Sequence, residues 1–455
     1  MKLFADLCLR FENPLWAHYP ELAVMDSILD THPELLKLVE QDILGISNDK
    51  GFRSRFGRKD TPSIEQIVRA AIYKETKRID YRKLEAALYD STVCRAFVKL
   101  NGRRPFSFVM LHNYISRIRP ETIERLIYAI NSLMISEGME NVQKVRIDST
   151  VMETPIHYPT NNALVWDCFK EFYRLIFQLR KHDWCLNIRC YRKQAKKQYY
   201  KINLDKSPNR RQLLFGKQLG LFRRIIAQAA EICQSIEASD TSDIMVNAIG
   251  QKLRAFLPVM DTVYSQSYRR EILNETVPNH EKLFSIYEQH TDIIVKGQRE
   301  VQFGHKINLS VGKSNLILDC IIADGNPKDS TLFEDSLKRI RRVYNRTPQS
   351  VSTDGGYASL KNVQIGLAMG IRNIVFNKIV GSLENIASSK SMETRLKKWR
   401  SGIEAVISNW KRRFEIFRCE WKTKPHYDAK VLWSVLAYNL RVIAAWYLDA
   451  ICSNA

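Results

Sequence analysis

Two stretches of this chain alternate apolar and polar residues with a period of two, Val145-Arg-Ile-Asp-Ser-Thr-Val151 and Val301-Gln-Phe-Gly-His-Lys-Ile-Asn-Leu-Ser-Val311. Such alternation needs a strand with one face on a core. Between them, from Ala163 to about His290, apolar residues recur at helical spacing. The first strand of a sheet is therefore parted from the next by a long helical block, which reads as an insertion. A buried-type strand follows at Leu316–Ala323, then a helix around Leu332–Tyr344. The strand Ser350–Asp354 comes next, then a helix near Leu360–Met369, the strand Ile371–Asn377, and one long helix from about Met392 to Phe417. Without the insertion the order is three strands, then helices alternating with strands. That order predicts an α/β fold, a mixed sheet flanked by helices.

Length and composition bound the rest. At about 150 residues per domain, 455 residues suggest about three structural units. With 45% hydrophobic and 26% charged residues the chain is expected to fold rather than stay disordered. The longest apolar run, Val431–Leu448, contains Ser434, Asn439 and Arg441 and reads as a buried helix; a membrane span would need about 20 uninterrupted apolar residues. Asp6 and Arg10 interrupt the place of a signal-peptide core, and the nine cysteines form no CxxC pair. Both features predict a cytoplasmic protein with reduced thiols. His182, Cys185 and Cys190 lie close in sequence but lack a fourth zinc ligand at the usual spacing.

The net charge of +21 points to a polyanionic partner, and nucleic acid is favoured over an anionic membrane because no lipid-anchor motif is present. A basic protein with solvated Lys and Arg is the bland alternative. Residues 1–60 form a weakly patterned helical segment ending in the basic run Phe52–Lys59. Residues 61–136 read as a helical module, opened by Thr61 as cap, Pro62 at the first helical position and Glu65 in the first turn. It suits a helix-turn-helix DNA reader or a plain bundle equally well. The insertion, 153–298, carries fourteen Lys/Arg against two Asp between Arg180 and Arg224, interleaved with Trp184, Tyr191, Tyr199, Tyr200 and Phe215. That mixture suits either a surface that tracks phosphates and stacks bases or a solvated helical face over core aromatics.

Three carboxylates sit where this strand and helix order can gather them. Asp148 falls mid-strand, where an unpaired charge is costly. Asp354 ends a strand, and Gly355 and Gly356 behind it permit close approach. Glu404 shares one helical stripe with Lys397, Arg400 and Lys411, beside an apolar stripe of Ile403, Ile407, Trp410, Phe414 and Phe417. Taken alone, Arg400 and Glu404 could be an ordinary i, i+4 pair worth about 0.3–0.5 kcal/mol. His305 is in phase with the apolar face of its strand and carries no assignment, whereas Lys306 points to the polar face.

The segments Val145-Arg-Ile-Asp148-Ser-Thr, Ser352-Thr-Asp354-Gly-Gly-Tyr and Arg400-x3-Glu404-x6-Lys411 together resemble the DDE transposases of bacterial insertion sequences. The last is similar to a family signature that begins with tyrosine, where this chain has Lys397. Phe106–Glu124 and the tail Ala437-Tyr-Asn-Leu440 also look like the family. The resemblance implies an RNase H-like catalytic domain built from 140–152 and 299–425, with a C-terminal helix over 426–455. It implies that Asp148, Asp354 and Glu404 bind two divalent ions, Mg²⁺ or Mn²⁺, for cleavage and joining of DNA. Arg400, Lys411 and Lys397 would hold backbone phosphates, and Arg412, Lys378 and Lys306 are further candidates. The expected partners are transposon ends and target DNA, in a homodimer or larger assembly. A nuclease of the same fold, and a non-catalytic DNA-binding descendant, are the alternatives.

Overall fold

A computed structural model describes residues 14–44, 61–182, 184, 188–239, 241–295, 301–379 and 382–454. The N-terminal residues Asp6 and Arg10, the run Phe52–Lys59 and Cys185 lie outside the described residues. Helices α1 (Pro14–Ala17), α2 (Pro20–Thr31), α3 (Glu34–Leu44), α4 (Ile64–Lys77), α5 (Tyr81–Asp90), α6 (Thr92–Phe97), α7 (Phe108–Ile115) and α8 (Pro120–Ser136) precede strand β1 (Lys144–Glu153). Helices α9 (Asn161–Lys181), α10 (Arg192–Leu204), α11 (Pro208–Ala238) and α12 (Ile244–Glu271) follow. The chain then forms β2 (Asp292–Val295), β3 (Val301–Val311), β4 (Ile317–Ile322), α13 (Asp329–Tyr344), β5 (Ser350–Asp354), α14 (Leu360–Ala368) and β6 (Asn373–Asn377). It ends with α15 (Lys390–Arg400), α16 (Gly402–Phe414) and α17 (Lys424–Asn454).

Two compact units result, one from Met1–Glu153 with His305–Ala455 and the other from Thr154–Gly304. In the first, the strand order is β4-β3-β1-β5-β6. β1 runs parallel to β5 with Val145 opposite Val351 and Ile147 opposite Thr353, and β5 runs parallel to β6. β3 and β4 are antiparallel. This mixed sheet, flanked by helices, is the RNase H-like arrangement expected from the sequence. Val145, Ile147, Ser149 and Val151 are all buried, as their alternation requires. The polar face of β3 is buried as well: Lys306, Asn308 and Ser310 are each at most 5% exposed. It is covered because α13 lies on it, with Asn308 donating to Ser336 at 2.7 Å and accepting from the Tyr357 hydroxyl at 2.5 Å. His305 is buried with its ring edge-on to Tyr427, 4.9 Å between centroids.

The helices of 61–136 share their hydrophobic core with the sheet. The start of α4 differs from the sequence reading. Ser63, not Thr61, is the cap: its hydroxyl accepts from the Gln66 amide while the Gln66 side chain accepts from the Ser63 amide. This reciprocal box satisfies two helix-end donors and outcompetes a Thr-Pro start. The single long helix expected over 392–417 is broken at Ser401 into α15 and α16. Arg146, on β1, donates to the Trp399 carbonyl at 2.9 Å and so takes an acceptor that a continuous helix would use. Its guanidinium also lies against Gly402, where any Cβ would collide with it.

Helix α17 is long and apolar enough to cross a membrane, yet 72% of its apolar window is buried inside the protein. Its Asn439, fully buried, accepts from the Ile317 amide at 3.0 Å and donates to the Ile317 carbonyl at 2.8 Å and to Asn131 at 3.0 Å. The helix thereby satisfies the Ile317 amide of β4 and shares the Ile317 carbonyl with Asn131. Asn439→Ala is expected to destabilise the protein by about 2–3 kcal/mol, because the buried Ile317 amide and Asn131 Oδ1 lose these bonds together, while the Ile317 carbonyl keeps Asn131 Nδ2 at 3.0 Å. A thermal melt unchanged from wild type would contradict this account.

In the second unit, α9–α12 enclose a core that includes Phe169, Phe172, Phe222 and Leu253. Strand β2, which lies beyond the helical periodicity and was not expected, pairs antiparallel with the start of β3, Asp292 facing Gly304. The cations between Arg180 and Arg224 lie on the surface, but Tyr191 and Phe215 are buried. Of the five interleaved aromatics Tyr200 alone is exposed, so these residues mainly build core rather than a row of stacking faces.

Candidate active site

Asp148 and Asp354 are brought together by the parallel pairing of β1 and β5. They follow directly after the facing pair Ile147 and Thr353, on neighbouring strands. Glu404 lies in the first turn of α16, and Arg400 is the last residue of α15. The two meet as an i, i+4 pair, and Arg400 also reaches both aspartates. Its guanidinium is 2.8 Å from Glu404 Oε1, 2.7 Å from Asp148 Oδ2 and 3.9 Å from Asp354 Oδ1. The arginine is only 5% exposed, whereas Asp148, Asp354 and Glu404 are 17%, 43% and 64% exposed. The carboxylates thus form an open rim around an interior cation. Arg400 Nε is buried without a hydrogen-bond partner among the described residues.

A fourth carboxylate adjoins this group. Asp329, the first residue of α13, accepts from the Ser149 hydroxyl at 3.0 Å and from Lys306 Nζ at 3.1 Å. Lys306 also donates to the Pro327 carbonyl at 2.6 Å. Ser149 directly follows Asp148, so a chain of polar contacts ties the first aspartate's neighbour to β3. Gly356 allows Asp329 its close approach, and Gly355 packs against the Lys378 carbonyl, which leaves no room for a Cβ. Burial and the charges of Asp329, Asp148 and Asp354 push the Tyr357 phenol well above its usual range, so it stays a hydrogen-bond donor. Four carboxylates against two cations leave the site net negative in a strongly basic protein.

The remaining candidates spread apart. Lys411 donates to the Val151 carbonyl at 2.7 Å and lies over the Phe417 ring, further along β1 than Asp148. Lys397 is paired with Glu393 at 2.6 Å. Lys378 is exposed at the end of β6, where its backbone turns left-handed (φ 57°). Arg412 is exposed and lines a different cleft, with Tyr19 and Lys77. Asp329, Ser149 and Arg146 were missed from the sequence. The signal for Asp329 was its place just after Pro327, at the start of the helix that follows β4.

The donor set suits a hard divalent cation, because every candidate ligand offers carboxylate oxygen. Among the described residues, no three His, Cys, Asp or Glu side chains stand close enough to enclose a metal ion. The three carboxylates already converge on one positive centre, the Arg400 guanidinium, so they fit such an ion by chemistry and differ from a closed site by that arginine. Residues 296–440 match the family model of the transposase DDE domain. The chain carries a DDE-type transposase domain. The match includes Asp354 and Glu404; Asp148 lies upstream of it, beyond the insertion. No curated protein and no solved structure matches the chain.

Proposed function

We propose that this protein is an insertion-sequence transposase that binds the inverted-repeat ends of its element and performs metal-dependent strand cleavage and strand transfer. The observation that carries the reading is the convergence of Asp148, Asp354 and Glu404, from β1, β5 and α16, on a single cationic centre. Divalent ions held by these carboxylates would activate an attacking oxygen and stabilise the leaving one during displacement at phosphorus. Arg400 would hold the carboxylates together before ions bind and then turn to a backbone phosphate. Lys411 would keep α16 in register with β1, and Lys306 would fix Asp329 beside the first aspartate. The exposed cations of the second unit would supply phosphate contacts that position the DNA without reading its sequence. Since two ends must be cut in concert, the active form would be a dimer or larger assembly.

Labelled DNA carrying the element's ends tests this directly, with Mg²⁺ or Mn²⁺ and an EDTA control. Nicks at the ends together with joined products, both absent in EDTA, are expected. Cleavage without joining would establish a nuclease instead, and tight binding without cleavage in either metal would establish a non-catalytic DNA-binding protein.

A further inference from the structure

The first unit contains a large cleft that the carboxylate site does not use. Its volume is about 1040 Å³, and it is lined by the start of α2, the end of α4, the end of α16 and the middle of α17. Five permanent cations face it: Lys77, Arg78, Arg412, Arg413 and Arg441. Among the described residues the only carboxylate in its lining, Glu21, is bonded to Arg441 at 2.5 Å. Arg78 reaches Glu415 at 3.3 Å in an exposed pair, which contributes little. Among the described residues Lys77, Arg412 and Arg413 have no carboxylate partner, and Lys77 lies over the ring of Tyr19, 5.1 Å from its centroid. His18, Thr76 and Asn409 add further polar groups to the walls.

Basic residues in the last turns of α4 and α16 complement their helix dipoles, which explains each of them singly. It does not explain why they face one another across a concavity, nor why Arg441, in the interior of α17, joins them. Burial and the nearby charge of Arg413 both pull Arg441 below its usual range, a cost that an incoming anion would relieve. Concave walls also focus the field of the crowded cations.

We infer that this cleft binds the phosphodiester backbone of duplex DNA, as a contact separate from the carboxylates. Glu404 and Arg413 stand at opposite ends of α16, about 13 Å apart along its axis and on opposite faces. The cleft therefore engages duplex flanking the reacting phosphate, not that phosphate itself. Lys77, Arg412 and Arg413, without a carboxylate partner among the described residues, suit phosphate oxygens, and a contact made to the backbone alone is independent of sequence.

The inference rests on the transposase reading, and the test separates the two. Full-length wild type, the triple variant Lys77→Ala, Arg78→Ala, Arg413→Ala, and a control with the same charge change on α13, Lys338→Ala, Arg341→Ala, Arg342→Ala, would be titrated with a fluorescent DNA duplex over a range of salt. All six positions are exposed, so the variants should melt like wild type. The cleft variant is expected to lower the slope of log K against log salt by about 2 to 3, as each lost phosphate contact removes about 0.9. The control should leave the slope near that of wild type. Equal losses in both variants, or no loss in the cleft variant while wild type binds and cuts, would overturn the cleft and spare the transposase. Wild type that neither binds nor cuts DNA would overturn both. Tripolyphosphate is the second probe: binding that depends on the three cleft residues, with duplex binding unchanged, would identify a small phosphate ligand and also overturn the assignment.

Discussion

Asp148→Asn is expected to abolish metal-dependent strand cleavage while DNA binding persists. Under the proposed function, Asp148 would be a charged ligand of two divalent ions; its loss would forfeit several kcal/mol of transition-state stabilisation, and about 4 kcal/mol corresponds to roughly a thousandfold in rate. Asp354→Asn and Glu404→Gln should behave alike, because the three residues act as a unit and their effects should not add. Asp148 is the most informative of the three. It is the least exposed, lies outside the matched family segment, and is joined to Glu404 through Arg400. Binding of end DNA, measured beside cleavage, separates loss of chemistry from loss of fold. Cleavage by Asp148→Asn at the wild-type rate would remove this aspartate from the site.

Arg400→Met is expected to lower the stability of the metal-free protein by about 1–2 kcal/mol. The guanidinium is almost fully buried and bonded to Asp148 and Glu404, but the carboxylates left behind are partly open to water, which takes up part of the loss. The sign reverses with metal. Once the carboxylates no longer hold an internal cation, a divalent ion need not compete with one, so Mn²⁺ should raise the melting temperature of the variant more than that of wild type. Melts in EDTA and in Mn²⁺ would show both effects. A variant as stable as wild type in EDTA, with no larger response to Mn²⁺, would mean that Arg400 does not hold the carboxylates together.

These two residues illustrate how unevenly the site could be read in advance. Asp354 was legible because a strand pattern ends at it and two glycines follow. Glu404 was legible because it falls on a stripe with Arg400 and Lys411. That Arg400 also reaches Asp148 and Asp354 was not legible, since it depends on how β1, β5 and α15 come together in the fold. Lys306 was expected on a polar face, and it is on one, but the face is buried under α13 and the lysine is committed to Asp329 and the Pro327 carbonyl. Asp329 escaped notice because a carboxylate at a helix start is common and nothing in its own segment indicates the neighbour it will meet. Arg412, grouped by sequence with Glu404 on α16, faces a different cleft, because a helix offers several faces and packing decides where each of them looks.

By itself the sequence determined what is local: the period of two in β1 and β3, the helical period of the insertion, the order of strands and helices, and the types of residue available for chemistry. Those follow from backbone geometry and side-chain burial over a few residues. Tertiary structure alone decided the pairing of β1 with β5 across the insertion, the split of α15 from α16, and the cation on which three distant carboxylates meet. Each of these is a contact between residues far apart in the chain, fixed by which buried polar groups find partners once the core has closed.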